Sequence, residues 1–211
     1  MVALRFLFIF GIFGISVLCQ KKDKVINLHH ADSLVGLEIA GEPVRELIGN
    51  VKFSQDNVVV TCQKAMQYLR SNKVWLEGEV EVIDKDVRMV GSRGMYYGDS
   101  KIAEVFERVM LEDGTTTLRA NYGKYFLEEK KAYFATNVSV EDSTSVLTAD
   151  EFTYFREEQR SIAQGNVRIV DSRNSVTLFG NHFVHYRKDR YSKMTQQAKA
   201  VQIDTTTEGI Y

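Results

Sequence analysis

One feature constrains this chain above all others: it repeats. Five segments share a corner-like start, GNVKF at Gly49, GEVEV at Gly78, ERVML at Glu107, TNVSV at Thr136 and GNVRI at Gly165. Their valines, Val51, Val80, Val109, Val138 and Val167, stand 29 residues apart at every step. A fixed period of this length marks a stack of similar units, none of which covers its own apolar face.

Other columns follow each anchor valine. Two residues on stand Phe53, Val82, Leu111, Val140 and Ile169, and between them Lys52, Glu81, Met110, Ser139 and Arg168. This alternation of period two is the pattern of a strand with one buried face. Further along come Val60, Met89, Leu118 and Leu147, then the small residues Cys62, Gly91, Ala120 and Ala149, then the aromatics Tyr68, Tyr97, Phe126 and Phe155. A two-residue insertion within 171–175 makes Leu178, Gly180 and Tyr186 the equivalents in the fifth unit. Strict alternation places the aromatics on the face of the small residues, as a ligand-contacting ladder or as a stack that pins register.

Polar stretches separate the columns at 54–57, 84–86, 112–115, 141–144 and 171–175, and again at 70–73, 98–101, 128–130 and 157–160. Such regular punctuation predicts hairpin turns, with about two strands per unit. His30-Ala31-Asp32-Ser33-Leu34 reads like Thr148-Ala149-Asp150-Glu151-Phe152, so a partial unit precedes the first anchor. Residues 35–39 and 45–48 are expected as short turns of helix, the only ones after the leader. The predicted fold is all-β, an elongated, half-open antiparallel roll built of 29-residue units over residues 20–194. Residues 195–211 are expected as a connector or the start of a further unit.

The leader is separate. Residues 1–19 hold Arg5, then the apolar run 6–18 broken by Gly11 and Gly14. Thirteen apolar residues are too few to span ~30 Å of hydrocarbon as a helix, and the arrangement is that of a secretory signal peptide cleaved before Gln20. Lys+Arg is 27 and Asp+Glu 28, a balance that argues against a nucleic-acid partner. Cys19 leaves with the leader, and Cys62 reads as a small buried hydrophobe. His182 and His185 fall on opposite faces of a strand, so they do not form a metal site. No catalytic set or phosphate loop is recognisable, and no cofactor is expected. The basic runs Lys130-Lys131 and Arg187-Lys188-Asp189-Arg190 read as solvated turns or as contacts for lipid phosphates.

The unit TNVSVED (136–142), LTAD (147–150), YF (154–155) and AQGNV (163–167) resembles the OstA/LptA family of periplasmic lipopolysaccharide-transport proteins. The resemblance covers roughly residues 25–194, although Glu107 and Thr136 replace the family's corner glycine. It implies a β-jelly-roll with an apolar interior, open at both ends, in the periplasm and associated with the outer membrane. It implies lipopolysaccharide as ligand through its lipid A acyl chains. It also implies related jelly-roll domains, or further copies, as partners that pair edge to edge, around residues 25–34 and 181–194. The candidate groove is then Val80, Val82, Met89, Tyr97, Val109, Leu111, Leu118, Phe126, Val138, Val140, Leu147, Phe155, Val167 and Ile169. Two alternatives remain open from the residues alone: an interaction module of stacked β-units without lipid, and a β-helical polysaccharide enzyme, which the apolar columns disfavour.

Overall fold

The computed structural model describes residues 25–85, 87–113 and 116–202, so the expected leader lies outside the described residues. Among the described residues every regular element is a strand. In chain order they are β1 (Asn27–His30), β2 (Ser33–Ile39), β3 (Glu42–Gln55), β4 (Val58–Tyr68), β5 (Lys73–Asp84), β6 (Val87–Tyr97), β7 (Ile102–Asp113), β8 (Thr116–Phe126), β9 (Lys131–Glu141), β10 (Ser145–Phe155), β11 (Arg160–Asp171), β12 (Val176–Tyr186), β13 (Tyr191–Thr195) and β14 (Lys199–Gln202). They form one antiparallel sheet in which each strand from β3 to β13 pairs with the next. At one edge β1 and β2 both pair with β3; at the other β13 and β14 both pair with β12. The segments expected as helical turns are extended instead. They pair with each other in β2 and β3, with Val35 opposite Glu46 and Leu37 opposite Val44. An isolated helical turn is costly to nucleate, and the inter-strand ladder outcompetes it.

Every odd-numbered strand from β3 to β11 is bent where the repeat begins. Two consecutive residues there take the left-handed conformation: Gly49–Asn50, Gly78–Glu79, Glu107–Arg108, Thr136–Asn137 and Gly165–Asn166. A sixth pair, Gln196–Gln197, separates β13 from β14, so the tail carries the corner of a further unit. Each even strand spends one residue where its odd neighbour spends two; Gln63, for example, faces Gly49 and Asn50. This is a β-bulge repeated across the sheet, and it bends the strands in register. At Gly49 and Gly165 a Cβ would collide with the carboxylates of Asp32 and Asp150. The same carboxylates accept from Asn50 Nδ2 at 3.0 Å and Asn166 Nδ2 at 2.8 Å. The sequence likeness between 30–34 and 148–152 is therefore a structural equivalence: both aspartates bridge a corner.

The bends fold the sheet double. Layer A holds 42–48, 64–68, 73–77, 93–97 and their equivalents; layer B holds 51–55, 58–62, 80–84, 87–91 and theirs. The apolar faces meet, as where Phe53 of layer B packs edge-on against Tyr96 of layer A, 5.6 Å between ring centroids. Anchor valines and their partners fill this space: Val51, Phe53, Val60, Val80, Val82, Met89 and Val109 are 2% exposed or less. The column of small residues is explained by the bend. A Cβ on Gly91 would strike Val105 of the opposite layer.

The bulge also changes which residues face inward. Each even strand reverses its alternation across the bend, so that Met89 is buried in layer B but Gly94 and Tyr96 are buried in layer A. Tyr97, Phe126 and Phe155, expected on the inner face, therefore lie on the outer face of layer A. There cations cover them: Lys73 Nζ is 5.7 Å from the Tyr97 ring centre, Lys131 Nζ 4.2 Å from Phe126, and the Arg160 guanidinium 4.0 Å from Phe155.

Candidate functional site

The interior between the layers and the margin where their free ends meet make up the candidate site. Val80, Val82, Met89, Val109, Leu111, Leu118, Val138, Leu147 and Val167 are all buried in it. Val140 and Ile169 pack against that core half-buried. Over the first units the packing is tight: the space bounded by Ile26, Leu28, Leu47, Phe53, Gln67 and Val74 does not admit a water molecule. A cleft of about 580 Å³ lies elsewhere, at the bend, among Lys52, Thr61, Glu79, Glu81, Arg88 and Met110. Its arginine is already held by Glu81 and Glu112.

The sequence positions along the margin recur in the same period. Along the free edge of layer B, four residues past each anchor, stand Gln55, Asp84, Asp113, Asp142 and Asp171. Along the inner face of layer A one cross-strand row runs Gln67, Val74, Tyr96, Ala103, Tyr125, Ala132, Tyr154, Ser161 and His185. Two bolts join these rows. Tyr96 OH donates to Gln55 Oε1 at 2.7 Å, and Gln55 Nε2 donates to the carbonyl of Gly98 at 3.1 Å. One unit later Tyr125 OH donates to Asp84 Oδ2 at 2.8 Å, joined by Lys130 Nζ at 2.7 Å and, farther off, an Arg156 nitrogen at 3.8 Å. Lys101, itself buried, pairs with Asp56 at the first of these bolts.

The electrostatics follow from this geometry. Asp84 is 1% exposed. Burial by itself would raise its pKa; Lys130, Tyr125 and Arg156 outweigh burial and hold the carboxyl below the usual range. Tyr96 and Tyr125 are pushed well up, chiefly by burial and then by the neighbouring Asp56 and Asp84 respectively. Burial pushes the Cys62 thiol up to about 11, so it is neutral and unreactive in the folded state.

Asp142 and Asp171 behave differently. Asp142 Oδ1 accepts from the backbone N–H groups of Thr144 and Ser145, both at 2.8 Å, and Asp171 Oδ1 accepts from those of Arg173 and Asn174. Each caps its own turn. Among the described residues no group of three or more His, Cys, Asp or Glu is arranged to hold a metal ion. His182 and His185 are each bonded sideways to β13, through Thr195 and Ser192. Asp99 Oδ1 accepts from Asn72 Nδ2 at 2.9 Å.

Sequence reasoning found the buried columns but missed the bolts. The signal was present: positions four and sixteen past the anchors carry Gln/Asp and Gln/Tyr in the 29-residue period. Their partnership spans 41 residues and is not visible in any local pattern. The expected edges hold in part: β1 within 25–34 and β13 within 181–194 lie at the two ends of the sheet, β2 and β14 extend them, and residues 181–186 of β12 are paired.

These observations define a class: an antiparallel two-layer roll of tandem units, with an apolar interior and two edges that do not meet. The chain belongs to the OstA-like family, whose model, described as "OstA-like protein", matches residues 22–205. No curated protein matches the sequence. Among solved structures the chain is similar to LptH of Pseudomonas aeruginosa, described as the LptA homologous periplasmic component of the conserved lipopolysaccharide transport device. The identity is 11%, the match covers 68% of this chain and 93% of that one, and the TM-score is 0.32.

Proposed function

We propose that this chain is a periplasmic lipopolysaccharide-binding transport protein that takes lipid A acyl chains between its layers and bridges membranes by end-to-end strand pairing. Membership of the OstA-like family supports the reading. The observation that carries it is the nature of the two ends. At one, β1 and β2 form an even-type strand bridged at Asp32; at the other, β13 and β14 form an odd-type strand with the corner Gln196–Gln197. Within the chain every even strand lies against an odd strand with its corner in register. The two ends are therefore complementary, and an unpaired sheet edge is a template for strand addition. Stacking head to tail would continue the sheet from one protein to the next, either with copies of itself or with related domains.

The carrier arithmetic is modest. Burying a twelve-carbon tail from water yields roughly 9 kcal/mol, but a lipid arriving from a membrane or from another interior gains almost none of this. Passage along such a bridge is close to neutral, and direction has to come from elsewhere. The groove residues named above remain the proposed contacts, Tyr97, Phe126 and Phe155 excepted, and a lipid reaches the tightly packed ones only if the layers part.

That tight packing favours a second reading, an interaction module that pairs through its edges without cargo. One experiment separates the two. The protein is purified from its host without detergent, extracted with organic solvent, and analysed for lipid A by mass spectrometry; uptake of added lipopolysaccharide is measured in parallel. Bound or captured lipid supports the carrier. An empty extract with no uptake, while end-to-end association persists in light scattering, overturns it in favour of the module.

A further inference from the structure

The two outer faces of the roll differ in a way the core does not require. That of layer B is an ordinary polar surface, crossed by exposed ion pairs such as Arg88 with Glu112 and Arg119 with Glu141. That of layer A carries aromatic rings on strand after strand. Trp75, Phe106, Tyr122 and Tyr133 form one contiguous ladder, with successive ring centroids 6.5, 5.7 and 6.3 Å apart. Nearer the margin turns, the register lines up Tyr97, Phe126 and Phe155 on alternate strands. Glu104 joins the two sets, accepting from the hydroxyls of both Tyr97 and Tyr122. All these rings are half-buried, so solvent reaches them. Two packed layers need no rings on the sides turned away from each other, and an apolar patch set among polar groups marks an interaction surface.

Spacing and charge name the partner. Strands lie about 4.8 Å apart, so rings on alternate strands recur at about 9.6 Å. That is close to the advance of one disaccharide along an extended glycan. Cations stand in the same row: Lys73 opposite Tyr97, Lys131 between Phe126 and Phe155, and Arg160 opposite Phe155. Ile102 takes the cation's place between Tyr97 and Phe126. Lys131 is held by Glu129 at 2.5 Å and Arg160 by Glu158 at 2.7 Å, but the two glutamate side chains are 58% and 56% exposed. Surface pairs of this kind contribute little, and a ligand anion anchored on the rings displaces them. A membrane would meet the exposed Glu128, Glu129, Glu157 and Glu158 of the turns together with the cations. A chain one sugar wide follows the row and leaves those carboxylates in water.

We propose that the outer face of layer A binds an anionic polysaccharide in which charged and uncharged sugars alternate. The uncharged sugars lie against Phe126 and Phe155. The acid groups of their neighbours pair with Lys131 and Arg160. The site is separate from the interior and stands whether or not a lipid occupies the space between the layers.

The test is isothermal titration calorimetry of the purified chain with a hyaluronan hexasaccharide, with chitohexaose as the uncharged arm and phosphatidylglycerol vesicles as the membrane arm. The expected result is binding of the hyaluronan hexasaccharide, with chitohexaose weaker. Arg160→Gln should weaken the charged glycan by about tenfold, the worth of one charge-assisted hydrogen bond, and leave chitohexaose unchanged. Phe155→Leu, which keeps an apolar side chain and removes the ring, should weaken both glycans severalfold, and Phe126→Leu should do the same. Arg119→Gln, on the outer face of layer B, should change neither; circular dichroism checks that each variant folds. An equal loss in Arg119→Gln and Arg160→Gln would reduce the binding to general charge attraction and overturn the site. No binding of either glycan would also overturn it, and the effect of Phe155→Leu on vesicle binding and on light scattering would then show whether a membrane or a second copy takes the face instead.

Discussion

Removing the carboxylate of Asp84 tests whether the margin bolts hold the two layers together. Asp84→Ala leaves the Tyr125 hydroxyl, 3% exposed with its residue, without its acceptor at 2.8 Å. A buried donor left unsatisfied costs about 1–3 kcal/mol. Lys130 also loses its partner at 2.7 Å, but its side chain is 27% exposed and can turn toward water, so that loss is the smaller part. The expected total is about 3 kcal/mol, which for a domain of this size lowers Tm by roughly 6–12 °C. Differential scanning calorimetry and urea titration measure it, and a double-mutant cycle with Lys130→Met should return a coupling of about 1–2 kcal/mol. The pH dependence adds a second check. The folded pKa of Asp84 lies below its unfolded value, so its contribution is complete above the ordinary carboxylate range near ~4 and fades as pH falls through the lower, folded value. The difference between wild type and Asp84→Ala should therefore shrink in acid. A cost under about 1 kcal/mol, or a difference that does not change with pH, would refute the idea that these bolts hold the layers.

Two further outcomes follow from burial. Leu118→Asp places a carboxylate at a position 3% exposed and should abolish the native far-UV and near-UV circular dichroism, whereas Leu178→Asp, at the half-buried end, should fold. Survival of the Leu118 variant with its lipid uptake weakened would instead make that column an open groove. Cys62, with its thiol pushed up to about 11, should resist a thiol-specific disulfide reagent at pH 8 and react only as urea unfolds the chain; rapid reaction in the native state would contradict its closed packing.

The period, the strand content, nearly every turn and the buried columns in layer B were legible in the amino-acid sequence. Side-chain alternation and turn chemistry are local, and a spacing of 29 residues repeats them often enough to stand out. Val51, Val80, Val109, Val138 and Val167 declare their face because the strand around each obeys simple alternation. What only the tertiary structure decided lies beyond the bend. Two left-handed residues opposite one reverse the alternation of each even strand, which moves Tyr97, Phe126 and Phe155 outside and brings Tyr96 and Tyr125 in. Gly49 and Gly165 hint at that corner, but Glu107–Arg108 and Thr136–Asn137 adopt it without a glycine because the neighbouring corners impose it. The pairing of Asp84 with Tyr125, and its absence at Asp142, belongs to the folded sheet alone. It depends on how far one layer slides over the other, a distance set by packing and written in no single stretch of chain.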